Sequence, residues 1–302
     1  MTKLIGIEEH FVTADIRAAW AASSIGREGT GGLDRVEIED WLNDLGEHRL
    51  ALMDESGVDV QVLSVTTPAL HNLEPGESVS LARRTNDLVA AAVAKYPTRF
   101  QGFATLPTAA PEEAAIELER GVTRLGLVGT MPCGRTREKS LDHPAFLPIF
   151  ATAARLCVPL FVHPQVPQRD VREVYDSGFG DQIDTAFATF ALGWHYEAGI
   201  QFVRLILGGV LDKYPDLQII LGHWGEVIEA AKRLRFSASH DATSREYRAR
   251  IAIGDSARHI LSSRTCAAEK PSPAVDGPIA REAAGIVLTC RDRRKLVMAA
   301  HR

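Results

Sequence analysis

Short apolar runs of strand length alternate with helix-like stretches, and this alternation constrains the fold more than any other feature of the chain. "KLIGI" opens the series, "VDVQVLSVT" follows the helically spaced "HRLALMDESGV", and "FQGFATL" follows "SLARRTNDLVAAAVAKY", a helix stopped by Pro97. "PEEAAIELERGV", with Pro111 suited to a first helical turn, precedes "RLGLVGT", and "FLPIFATAARLC" precedes "VPLFVHP". "DTAFATFALGWHYEAGIQFVRLILGGVLDKY" reads as one long helical stretch ending at Pro215, and "LQIILGHWGE" comes next. Apolar strands separated by helices signal a parallel sheet covered by those helices. Six such units place the chain in the α/β class, and continuation to eight predicts a (β/α)8 TIM barrel, a fold that 302 residues accommodate. An open doubly wound sheet is the rival, but no GxGxxG or P-loop pattern follows the first strand.

Composition excludes several classes. Hydrophobic residues at 45% and charged residues at 24% are ordinary for a soluble globular protein. No apolar run approaches the ~18 residues of a membrane span, and "MTKLIGIEEHF" lacks the features of a signal peptide. Cys133, Cys157, Cys266 and Cys290 are scattered without CxxC pairing, so neither a thiolate zinc site nor a disulfide framework is expected. A cytoplasmic protein follows. The net charge of −5 is uneven: from Arg245 onward, 12 Lys and Arg face 6 Asp and Glu. That excess is too diffuse for a nucleic-acid surface, but it sets the last fifth of the chain apart.

The polar residues at the strand ends carry the chemistry. Glu8 and His10 close the first strand, His163 ends "PLFVH" and His223 ends "IILGH". Residues two apart in a strand share a face, so Glu8 and His10 point the same way. In a parallel barrel the carboxyl ends of all strands surround one mouth. Imidazoles and a carboxylate gathered there suit Zn²⁺ or a similar divalent ion. His195, in "GWHYEAG", reads as helix packing. Glu226, three residues after His223, is placed either to hydrogen-bond that imidazole or to complement the first turn of a following helix.

"IEEHF", "LFVHP" and "GGVLDKYPDLQIILGHWGE" resemble the amidohydrolase-superfamily branch containing aminocarboxymuconate-semialdehyde decarboxylase and the hydroxybenzoate decarboxylases. The likeness runs from residue 3 to about residue 236, within a single domain over 1–302 whose part beyond 236 is divergent. It implies a (β/α)8 barrel holding one divalent metal, zinc or manganese, with Glu8, His10 and His163 at the ligand positions. It also implies that His223 is the active-site histidine, that Glu226 supports it, and that the protein is a homodimer or homotetramer. The Glu-x-His opening, in place of the His-x-His of many hydrolases, favours the decarboxylase branch.

The resemblance breaks near the end. The family carries an Asp at the end of strand eight, and alignment of "HILSSRTCAAEKPS" puts Thr265 there. Asp292 and Asp276 are weaker matches, because Asp292 fits the final helix that "CRDRRKLVMAAHR" resembles. Strands seven and eight are therefore expected to be shortened or irregular. The activity implied is non-oxidative decarboxylation of a hydroxylated aromatic acid of hydroxybenzoate type. The alternatives are metal-dependent hydrolysis of an ester, lactone or amide, and an impaired barrel that binds without turnover.

Overall fold

The computed structural model describes residues 4–22, 26, 28–30, 36–223, 285–289 and 296–299. Glu226, Thr265, Asp276 and Asp292 lie outside the described residues. Strands β1 (Ile5–Phe11), β2 (Val60–Val65) and β3 (Phe100–Gly102) form one parallel sheet in that order. Strands β4 (Pro159–Val162) and β5 (Gln218–Leu221) pair in parallel in a second. Parallel bridges from Ala104 to Thr130 and from Thr130 to Leu160 connect the two sheets. The segment "RLGLVGT" thus takes its expected place between them, as a bridge and not a full strand. All six expected strand segments run in parallel and in sequence order.

Helices α1 (Ala14–Ala22), α2 (Val36–Asn43) and α3 (Glu47–Ser56) connect β1 to β2, and α4 (Pro75–Lys95) leads to β3. Helices α5 (Pro111–Leu125) and α6 (Leu147–Leu156) flank the Thr130 bridge in sequence. Between β4 and β5 lie α7 (Arg169–Tyr175), α8 (Asp181–Ala186), α9 (Gly193–Leu207) and α10 (Val210–Lys213). Local chemistry explains these boundaries, as α5 illustrates. Pro111 begins it, Glu112 and Glu113 oppose the positive end of its dipole, Arg124 sits in its last turn, and Gly126 closes it in the left-handed conformation. None of the described helices is long and apolar enough to cross a membrane.

Alternate strand residues point to opposite sides, and both sides are buried. Leu63, Leu160, Val162, Ile219 and Leu221 join the large core with Leu118 of α5, Phe150 of α6 and Phe202 of α9. Val62, Phe161 and Ile220 face the other way and cluster with Phe103 and Met131. Burial on both faces is why these strands read as continuous apolar runs.

Two expectations are corrected. The long helical stretch before Pro215 is broken: Phe187–Ala191 forms a π-type turn in which Thr189 has φ −115° and ψ −116°. A Cβ at Gly193 would lie 2.0 Å from the Ala188 carbonyl oxygen, so this kink requires glycine. A second break follows at Gly209, which is left-handed with φ 71°. The expected closing helix is also absent at Leu296–Ala299, which forms β7 and pairs antiparallel with β6 (Gly285–Thr289), itself antiparallel to β5. Six residues separate β6 from β7, and a parallel return needs a crossover of a dozen or more, so this pair can only be antiparallel.

Candidate metal centre

Three strands deliver the side chains of the candidate site. Glu8 lies on β1 beside a bulge: Gly6 pairs with Gln61 and Glu9 with Leu63, so β1 carries one extra residue there. Bulges re-aim side chains, and they recur next to active sites. His163 directly follows β4, its backbone bridged to Cys133 and its N–H donated to the Pro132 carbonyl at 3.0 Å. His223 follows β5 by two residues and has φ 49°, a left-handed backbone uncommon outside glycine. Gly222 just before it donates its N–H to the Val162 carbonyl at 3.0 Å, tying the ends of β5 and β4 together.

The result is a tight convergence. Glu8 Oε1 lies 3.1 Å from His163 Nε2 and 3.2 Å from His223 Nε2, and the two imidazole nitrogens are 3.4 Å apart. Among the described residues, Glu8, His163 and His223 form the group whose ligand atoms all lie within 4.8 Å of one another. His10 stands at its edge. Its Nε2 is 3.9 Å from Glu8 Oε1, its ring meets that of His163 edge-on at 4.8 Å between centroids, and its Nδ1 is 3.2 Å from Ser64 Oγ. Two residues apart on β1, Glu8 and His10 approach the same cluster.

The donor set fits a divalent cation. His163 Nδ1 is 2.7 Å from the Pro164 carbonyl, which can only accept, so Nδ1 carries the proton. Nε2 then faces the Glu8 carboxylate at 3.1 Å, a pairing that a shared proton or a cation makes favourable. One carboxylate oxygen and two imidazole nitrogens suit zinc or manganese. Burial by itself would raise the Glu8 carboxyl, but hydrogen bonds and charge from His163 and His223 outweigh it and hold the group well below the usual carboxylate range. Burial, with the positive charge of His163, pushes His10 down to about 3, so its ring is neutral at pH 7. The Cys133 thiol is pushed up to about 12 by burial, and so offers no thiolate ligand.

Other residues at the site had escaped the sequence reading. Trp194 and His195, on the first turn of α9, place their rings 5.6 and 5.5 Å from that of His223. The reading of His195 as simple helix packing is thus too narrow: the kink that ends at Gly193 turns it to the cluster, and no periodic signal announces a kink. Ser64 had a visible signal, as a polar residue near the end of the apolar run "VLSVT". His71 is 1% exposed; its Nδ1 lies 3.2 Å from the Arg135 carbonyl, and its Nε2 accepts the Cys133 N–H at 3.3 Å. It therefore supports the strand end that pairs with His163.

Known proteins share this arrangement of chain. The amidohydrolase family model matches residues 10–285. The γ-resorcylate decarboxylase of Polaromonas sp. (strain JS666) is 36% identical over 233 residues, which are 75% of this chain and 68% of that enzyme. The crystal structure of dihydroxybenzoic acid decarboxylase from Polaromonas sp. JS666, with bound manganese and the inhibitor 2-nitroresorcinol, is 34% identical. It superposes with a TM-score of 0.65, covering 76% of this chain and 68% of that one. The 5-carboxyvanillate decarboxylase of Novosphingobium aromaticivorans, also with manganese, is 32% identical with a TM-score of 0.69, covering 77% and 69% of the two chains. With the family matched across most of its length and its strand-end cluster in place, the chain belongs to the amidohydrolase family.

Proposed function

We propose that this chain is a metal-dependent, non-oxidative decarboxylase of a hydroxylated aromatic acid. The observation that carries the reading is the convergence of Glu8, His163 and His223 within 4.8 Å. The decarboxylases at 32–36% identity support it. The reading includes a closed (β/α)8 barrel forming a single domain, a homodimer or homotetramer, and a small aromatic carboxylic acid as the ligand.

Glu8 and His163, with His10 at their edge, would hold the ion, zinc or manganese, and His223, supported by Glu226, would handle the proton. A bound ion would supply Lewis acidity and help orient the substrate. Glu8 stays ionised at neutral pH and His10 stays neutral, so one anionic and one uncharged donor face the substrate from β1. Trp194 and His195 pack against His223 and restrict the orientations of its ring. A proton held by His223 passes to the carboxyl-bearing ring carbon, which becomes tetrahedral. The bond to the carboxylate then breaks, its electron pair returns to the ring, and CO₂ leaves. One proton is consumed, and a C–H bond replaces the C–C bond.

The test combines metal analysis of the purified protein with CO₂ release from a panel of hydroxybenzoates. We expect metal-dependent CO₂ release that falls by ~10²–10⁴-fold in His223→Asn, the usual contribution of a positioned acid–base group. Hydrolysis of an ester or lactone without CO₂ release would overturn the reading in favour of a hydrolase. Bound metal without turnover would identify an impaired barrel, the outcome that Thr265 at the aspartate position makes specific.

A further inference from the structure

Between β4 and β5 the chain turns apolar side chains outward. Six of the thirteen large hydrophobic side chains left exposed among the described residues lie between Val174 and Leu192. They are Val174, Tyr175, Phe179, Ile183, Phe190 and Leu192, each 44–73% exposed. Helices α7 and α8, which carry or border most of them, contain no fully buried residue. Short helices draw their stability from packing an apolar face, so two that pack so little need a further contact. Phe179, Ile183 and Phe187 recur at intervals of four, the spacing of one helix face. The rings of Phe179 and Phe187 meet with centroids 6.2 Å apart.

Area and charge point to what covers this face. At 61–70% exposure, the rings of Tyr175, Phe179 and Phe190 leave ~300–500 Å² open. Val174, Ile183 and Leu192 extend that toward the ~800 Å² per partner of a standard interface. In a two-fold interface the same patch meets itself, so apolar side chains are self-complementary and an unbalanced charge is repelled. The charges here are already balanced within the chain. Arg169 pairs with Glu173, Arg172 with Glu28, and Asp176 accepts from the Tyr196 hydroxyl at 2.8 Å. Asp184 accepts the N–H groups of Gly178 and Phe179 at 3.1 and 2.9 Å. Asp170 and Asp181 lie in the first turns of α7 and α8, where the dipole favours them.

We propose that a second copy of this chain docks on the face formed by Phe179, Ile183, Phe187 and Phe190, and that this pairing orders the metal centre. The inference rests on the homodimer included in the reading above and names its surface. The link to the site is short. The face runs into the kink at Phe187–Ala191, and His195 Nε2 lies 3.3 Å from the Phe190 carbonyl. Trp194 and His195, just beyond the kink, are the residues whose rings meet that of His223. A partner seated on Phe190 therefore holds the backbone that presents both rings.

Ile183→Glu places a charge where each copy would meet its own, at an exposed position in a helix. Ile116→Glu on α5, at 55% exposure, makes the same change elsewhere. Sedimentation velocity over a dilution series should show wild type and I116E at twice 32.9 kDa in the micromolar range. I183E should sediment as one chain, its dissociation constant raised ~30-fold or more, the effect of losing a central contact. Hydrogen–deuterium exchange of residues 187–196 should quicken in I183E and on dilution of wild type, but not in I116E. A wild type that stays monomeric overturns both the proposal and the homodimer. A wild-type dimer that I183E leaves intact overturns the proposal alone. Dissociation without faster exchange overturns the coupling to the metal centre. Should I183E fail to fold, Ile183→Ala, which only removes apolar atoms, must still weaken the dimer, and an unchanged dissociation constant overturns the proposal.

Discussion

Gly222→Ala tests whether the seating of β5 against β4 sets the position of His223. A Cβ built on Gly222 lies 2.6 Å from Phe161 Cε1 and 3.2 Å from the Val162 carbonyl oxygen, where ordinary contact begins at 3.4 Å. Relief requires β5 and β4 to part by about 0.8 Å at that point. Phe161 cannot simply turn away, because it is 0% exposed and packs among Val62, Phe103, Met131 and Ile220. The strain falls on the hydrogen bond from Gly222 N–H to the Val162 carbonyl and on His223, the next residue. Overpacking of this kind typically costs ~1–3 kcal/mol of stability, and a displacement near 1 Å at a reacting group costs ~10²-fold in rate. We therefore expect G222A to fold with a lowered urea midpoint, and to lose about hundredfold in CO₂ release. Urea titration and CO₂ assay on the same preparation check both numbers. A variant with wild-type midpoint and wild-type activity would refute the claim that this contact positions His223.

Two further predictions concern charge. His71 is buried and its pKa is pushed down to about 4, burial being the largest cause, against ~6.5 when unfolded; between those values the unfolded chain binds a proton that the folded chain does not. Its contribution to stability is thus complete above pH ~6.5 and lost as pH falls toward 4, to a total of about 3 kcal/mol, and His71→Gln should make the urea midpoint less steeply pH-dependent over that window, where His10 still titrates; parallel pH profiles for the two proteins would refute it. Glu8→Gln removes the one charged donor of the cluster, so metal affinity measured by competition with a chelator should fall by at least the ~10–100-fold seen when supporting partners alone are lost; unchanged affinity would exclude Glu8 as a ligand.

Local pattern carried the reading a long way. The six strand segments were legible because strands buried on both faces leave uninterrupted apolar runs, and Pro111, Gly126 and Pro97 mark helix limits through backbone chemistry alone. Glu8, His163 and His223 were legible for a related reason: polar residues that end apolar strands are forced to one rim once the strands are parallel. Glu8 and His10 gained further support from the two-residue period of a strand. Those inferences need no knowledge of which side chains finally touch.

What escaped depended on contacts between residues far apart in the chain. Trp194 and His195 reach His223 because the backbone folds back at Thr189 and Gly193, where a Cβ would strike the Ala188 carbonyl. Their sequence has helical spacing on both sides of the break, so periodicity ran straight through it. The pairing of β6 and β7 was missed because four or five apolar residues suit a helix or a strand equally, and only the partner strand decides. The protonated nitrogen of His163 is set by the Pro164 carbonyl, the low pKa of His71 by complete burial, and the pairing of Arg135 with Glu28 by the approach of two distant loops. Periodicity and backbone propensity are short-range properties, and they specify elements and the residues at their ends. Tautomer, charge state and counter-ion follow from the local dielectric and the nearest partner, which exist only after distant segments have packed together.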